Sequence, residues 1–204
     1  MISKRACVGG LIALLPGVVV ASGQHRTIPE VVARGEIGGT ASVPSGPTPS
    51  VNMLLGLTDL LAVGRLGEPQ SHLSDDQMEV LTDYRLNEPT ILFERKPSGS
   101  ATSNKSRSII LTQRGGTVNV QGTEYTETQS GLLPLKEGTQ VLCLLKQVGD
   151  KYQIVGWYYG VFEIKNGTIE PLMTQADFAP DYRGRPLQDA EQSMLAALHG
   201  ATRK

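Results

Sequence analysis

The segment Thr139 to Gln147 (TQVLCLLKQ) sets Val141, Cys143 and Leu145 on one face of an extended chain and Leu142 and Leu144 on the other. Burial on both sides follows, so this is a central strand around which the rest of the fold must be arranged. Downstream, Val148-Gly149-Asp150 turns the chain into Lys151 to Gly156, then Tyr158 to Ile164, and Asn166-Gly167 makes a tight hairpin into Thr168 to Leu172. Upstream, Ser50 caps a short helix with Val51, Leu54, Leu55 and Thr58 on one face, which leads into a strand from Leu60 to Leu66. Ser74 and Gln77 suit a capping box for a single turn, after which EVLTDYRL and TILFER read as one long strand broken at Pro89. Ser108 to Gln113 is expected to pair with Thr117 to Gln121 across Gly115-Gly116. At least seven short strands with tight turns make the chain mainly β, as a small antiparallel β-barrel or a sandwich. The end of the chain, PLQDAEQSMLAALHG, is helical, with Pro186 at its first position, Gly200 as its C-terminal cap and an apolar face of Leu187, Ala190, Met194, Leu195 and Leu198.

The N-terminus reads as an address. Lys4 and Arg5 precede an apolar run from Ala6 to Val20 and then small residues, the pattern of a secretory signal over residues 1–23 cut after Ala21 or Gly23. Some 15 apolar residues at about 1.5 Å each fall short of a hydrocarbon core of about 30 Å, so stable membrane insertion after cleavage is not expected. Cys7 stands at the start of the apolar run and cannot be the acylated residue of a lipoprotein. From Gly38 to Ser50, eleven of thirteen residues are Gly, Pro, Ser or Thr, so residues 24–50 are expected to be a disordered linker. The expected organisation is a signal over 1–23, a linker over 24–50, a β domain over 51–172, and a loop with an amphipathic helix over 173–204.

A chain of 204 residues with 19 Lys and Arg against 20 Asp and Glu has no global positive field to hold nucleic acid or an anionic surface. Loss of the signal removes two bases and no acids, leaving 17 against 20 and a net charge of -3. It also removes Cys7, so Cys143 has no partner for an internal disulfide in an oxidising compartment. A core of about 120 residues is large enough to stand without one.

The catalytic inventory is thin. His25, His72 and His199 are scattered, there is no His-Glu-x-x-His, no Cys pair and no calcium-loop pattern, and no metal or other cofactor is called for. Asp75-Asp76 suits the first turn after a Ser cap. No Gly-x-Ser-x-Gly elbow, phosphate loop or dinucleotide fingerprint is present, and Cys143 lies among leucines as a packed thiol. Asp83 and Glu88 lie near each other and could serve a small hydrolase, but a core of about 120 residues offers little room for a sugar cleft and a solvated strand face is the better reading. Asn104-Lys105-Ser106 and Asn166-Gly167-Thr168 match the glycosylation pattern but are explained by loop and turn chemistry. The aromatic run Trp157-Tyr158-Tyr159 between Gly156 and Gly160 is the richest feature. In a strand Trp157 and Tyr159 point one way and Tyr158, Phe162 and Ile164 the other, which offers Trp157 and Tyr159 either as a stacking face or as packing against the C-terminal helix. Asp83 and Arg85 are the polar residues assigned to a partner surface.

The succession TDLLAVGRL, LTDYRL, RGGTVNVQG, LKEGTQVLCLL and YQIVGWYYGVFEIKNG resembles a functionally uncharacterised family of secreted bacterial proteins with a small β-barrel core, over about residues 55–172. A weaker likeness runs to the netrin-like, OB-related fold of metalloproteinase inhibitors. That family inhibits through a cysteine at the mature N-terminus, where Ser22 or Gln24 stands here, and its disulfides and the OB helix between the third and fourth strands have no counterpart. The resemblance implies a periplasmic or secreted OB-like barrel. With the missing catalytic inventory, it points to a non-enzymatic module that binds a protein, peptide or envelope component; a small carboxylate hydrolase and a protease inhibitor are the alternatives.

Overall fold

A computed structural model describes residues 26–41, 48–95, 109–129, 135–149, 151–156, 158–174 and 176–201. The expected signal, residues 96–108 and Trp157 lie outside the described residues. In chain order the elements are α1 (Ile28–Val32), β1 (Gly38–Ala41), α2 (Val51–Leu57), β2 (Leu60–Leu73), β3 (Val80–Glu94), β4 (Ile109–Arg114), β5 (Gly116–Val120), β6 (Thr123–Gln129), β7 (Gln140–Val148), β8 (Lys151–Ile154), β9 (Val161–Lys165), β10 (Thr168–Pro171), α3 (Ala179–Tyr182), β11 (Arg185–Pro186) and α4 (Leu187–Ala201). The chain is mainly β.

β7 is the central strand that its two apolar faces require. Val141 to Leu145 have no solvent exposure, and the strand pairs along one edge with β2 and along the other with β9 and β8. The hydrogen-bonded neighbours run β7, β2, β3, β4, β8 and back to β7. All of these pairings are antiparallel except β4 with β8, which is parallel; β1 with β6 is parallel too, so the sheets are not purely antiparallel. On one side of the five strands Leu60, Ala62, Tyr84, Leu111, Cys143, Leu145 and Ile154 share a core. On the other side of β2 and β7, Leu61, Val63, Leu142 and Leu144 join Phe162 and the apolar faces of α2 and α4 in a second core. Burial in an apolar environment pushes the Cys143 thiol far up, away from the reactive thiolate.

The local signals formed where the chemistry is local. Ser50 Oγ accepts from Met53 N at 3.3 Å as the cap of α2, and Asn166-Gly167 turns β9 into β10 with positive φ at both residues. Ala190, Met194 and Leu198 of α4 are fully buried, with Leu187 and Leu195 packed beside them. The helix begins after Pro186, which belongs to β11, and runs through Gly200 to Ala201 instead of stopping at a glycine cap.

Four expectations are corrected. β4 does not pair with β5: it lies between β3 and β8, while β5 pairs with β6 across Gln121-Gly122. Gly115 and Gly116 carry the chain from one sheet to the other, with φ of +89° and +136°. The 24–50 stretch is not all linker. Ile28 and Val32 of α1 bury against Val80, Val118, Val120 and Tyr125, and β1 adds to β6; residues 42–47 lie outside the described residues. Five helical residues are too few to show a period, and their apolar partners come from remote strands. Ser74 caps no helix. Its Oγ donates to Asp76 Oδ1 and accepts from Glu79 N in a turn between β2 and β3. Finally, no strand runs from Tyr158: residues 158–160 are a turn, as are Val155 and Gly156, and β9 starts at Val161.

Candidate functional site

Helices α2 and α4 cover one side of β2 and β7, but further along β2, β3 and β4 no helix covers the outer face. On β3 its residues are the half-buried Leu81 and Asp83 and the exposed Arg85 and Asn87, alternating with the buried Thr82, Tyr84 and Leu86. On β4, Ile110 stands opposite Arg85 and Thr112 opposite Asp83. The register of β2 against β3 slips between Leu66 and Pro69, leaving Gly67 and Glu68 as a bulge. Because Gly67 has no side chain, a depression opens over Asn87 and the Arg85 backbone; a Cβ there would stand 3.0 Å from Asn87 Nδ2 and 3.2 Å from Arg85 O. The result is a groove of about 300 Å³ lined by Gly67, Glu68, Gln70, Asp83, Arg85, Asn87 and Ile110.

The charges in this groove are not equivalent. Asp83, its side chain only 14% exposed, accepts from Lys151 Nζ at 2.8 Å and from Thr112 Oγ1 at 2.6 Å, with His72 Nε2 at 3.3 Å. Lys151 opens β8, so this cluster ties β3 to the parallel β4–β8 seam. Burial is the largest single influence on Asp83 and disfavours its charge. The Lys151 and Thr112 hydrogen bonds and the Lys151 and His72 charges together outweigh it, so the carboxyl is held below the usual range. Arg85 is different: its side chain has no hydrogen bond or ion pair among the described residues, and the same is true of Gln70 and Asn87. Asp83 is thus neutralised within the fold, while the guanidinium two residues along is left to solvent.

Acid should expose this arrangement. A carboxyl with a lowered folded-state pKa stabilises the protein above its unfolded value of about 3.9, and the stabilisation is lost as pH falls through the folded value. The urea midpoint of the native chain should exceed that of Asp83→Asn at about pH 6 and converge on it towards about pH 2. A gap that stays constant would show that the ion pair contributes nothing.

The sequence-predicted residues separate accordingly. Asp83 and Arg85 share one groove. Glu88 does not join Asp83: it lies five residues further along β3, about 16 Å of strand, at a positive φ of 48°. Paired glycosidase carboxylates stand about 5–9.5 Å apart with the acid's pKa raised, the reverse of Asp83. Tyr158 and Tyr159 are elsewhere: Tyr158 is buried, and Tyr159 packs on the helical core with its ring 6.3 Å from Phe178, edge-on. Gly160 serves the chain's own backbone, since a Cβ there would stand 2.8 Å from Val155 O and 2.9 Å from Leu144 O. Sequence reading missed Gln70, Asn87, Ile110 and the Gly67 bulge; the only available signal was Gly67 two residues before a proline in a strand.

A second cavity, of about 280 Å³, lies near Gly115 and includes Thr82, Tyr84 and Glu127. Three of its polar groups serve the fold: Glu127 accepts from Val80 N, Thr82 donates to Gly115 O, and Tyr84 donates to Leu135 O, while Gln129 Oε1 is buried without a hydrogen-bond partner among the described residues. Among the described residues no group of His, Cys, Asp and Glu is placed to hold a metal, and no helix is long and apolar enough to cross a membrane. Comparison with protein-family models, with curated proteins and with solved structures yields no match.

Proposed function

We propose that this chain is an exported, periplasmic or secreted binding module with an OB-like barrel, and that it takes up a protein, peptide or envelope component in the groove over β2, β3 and β4. The strand order supports the OB-like reading. In the OB topology five strands close in a ring whose third and fifth strands are parallel, and β2, β3, β4, β7 and β8 follow that order with β4 and β8 as the parallel pair. The small sheet of β1, β6 and β5 stands where an OB fold carries a helix between its third and fourth strands. Folds of this kind bind ligands on the outer face of the second and third strands, here β3 and β4, which is an argument from analogy of fold. One observation of this chain carries the proposal: Asp83 is neutralised internally while Arg85, Gln70 and Asn87 have no partner among the described residues in the same groove.

The test places a photo-reactive residue at Gln70 of the full chain and fractionates the cells. A discrete crosslinked adduct is expected in the exported fraction and should vanish in Gly67→Leu, whose side chain fills the groove, at an unchanged fold by circular dichroism. An adduct that survives Gly67→Leu, or none from Gln70, overturns the groove as the binding site.

A further inference from the structure

Resting on that reading, we propose that the groove binds the free carboxylate end of an extended peptide, with the Arg85 guanidinium pairing to the carboxylate and the Gln70 and Asn87 amides pairing to the peptide's main chain. The planar fork of an arginine matches the two oxygens of a carboxylate. Arg85 has this fork available: Ile110 stands directly opposite on β4 to support its aliphatic stem, and no acid among the described residues claims its head. Side-chain amides offer a donor and an acceptor each, the complement of a peptide group. Gln70 of β2 and Asn87 of β3 lie on opposite sides of the bulge along the β2–β3 ladder and both line the groove.

The other groups in the groove set the class of ligand. Glu68 adds a negative charge at the bulge, so the lining does not have the excess of cations that a phosphate or a nucleic-acid backbone requires. No aromatic ring among the described residues lines it, which gives no stacking platform of the kind that favours sugars. A volume of about 300 Å³ is at the lower end for ligand sites and fits the end of a chain better than a whole globular epitope.

The probe is acetyl-trialanine with a free carboxyl, compared with its C-terminal amide, glucuronate and inorganic phosphate, each titrated into the ¹⁵N-labelled full chain. The free-acid peptide should shift the amide signals of Gln70, Arg85 and Asn87 and bind about tenfold more tightly than the amide. Arg85→Gln, at a solvent-facing position, should abolish that preference, and Arg85→Lys should restore part of it. Equal binding of acid and amide overturns the carboxylate assignment but leaves the groove standing on its crosslinking result. Tighter binding of glucuronate makes the occupant an acidic glycan, and tighter binding of phosphate makes it a phosphoryl group; either overturns the peptide. If no probe moves the groove signals, the inference fails, and the fate of Gly67→Leu then decides separately whether the groove binds anything.

Discussion

Phe162→Ala should lower the unfolding free energy by about 3–5 kcal/mol, the range for removing a fully buried aromatic side chain. Phe162 has no solvent exposure, and its ring lies 5.7 Å from that of Tyr182 and 6.2 Å from that of Phe178. It stands opposite Leu142 of the central strand and in the core that joins β7 and β9 to α4. The cavity it leaves is bounded by backbone paired on both sides, which limits collapse. For a domain of this size the loss amounts to roughly 6–20 °C in Tm. The matched control is Ile91→Ala on β3, 52% exposed, which should change stability by no more than about 0.5 kcal/mol. Thermal unfolding followed by far-UV circular dichroism measures both, and a Phe162→Ala loss below about 1 kcal/mol would contradict the helical layer's role as a second core.

Gly116→Val is expected to be comparably severe for a different reason. Gly116 sits at φ +136°, and a side chain there would overlap Thr82 Oγ1 and Ser71 Oγ. Backbone strain costs about 1–3 kcal/mol. Displacing Thr82, which is 3% exposed and donates to Gly115 O at 2.6 Å, leaves a buried polar group unsatisfied for about another 1–3 kcal/mol. Gly122, whose missing Cβ would meet nothing, provides the comparison: Gly122→Ala carries strain from its φ of +86° but no overlap, and should cost less than half as much. Equal losses for the two would mean that Gly116 is required for conformation alone and not for the close approach of β2 and β3.

This pair of glycines also marks the limit of reading strands one at a time. Gly115-Gly116 between two alternating apolar runs carries the same local signature whether the chain turns back on itself or crosses between sheets. The choice depends on Thr82 and Ser71, more than thirty residues earlier. β4 finds β8 through only two register pairs, Leu111 with Tyr152 and Thr112 with Gln153, and no periodicity announces a partner some forty residues away. The aromatic run is visible in the sequence as a composition and reads there as a strand. Gly160 must approach the Leu144 backbone, so the chain turns at residues 158–160, and Tyr159 packs against Phe178.

The candidate site shows the same division. The sequence assigns Asp83 and Arg85 to a partner surface, and the period-two alternation of β3 does place both on one face. Their inequality was not legible. Lys151, 68 residues away, neutralises Asp83 across the β3–β4–β8 pairing, and the bulge at Gly67-Glu68 arises from the slip of β2 against β3.

By itself the sequence determined what short-range stereochemistry and alternation determine: a central strand apolar on both faces, a Ser50 cap, an Asn166-Gly167 turn, an apolar stripe on the last helix, and a predominance of strands. The tertiary structure alone decided which strands pair, that β4 meets β8 in parallel, that Tyr159 lies against the core, and that Asp83 is paired within the fold while Arg85 has no partner among the described residues. The reason is physical. Caps, turns and alternation depend on atoms a few bonds apart, whereas pairing order, groove shape and charge compensation depend on surfaces that meet only after the chain has folded.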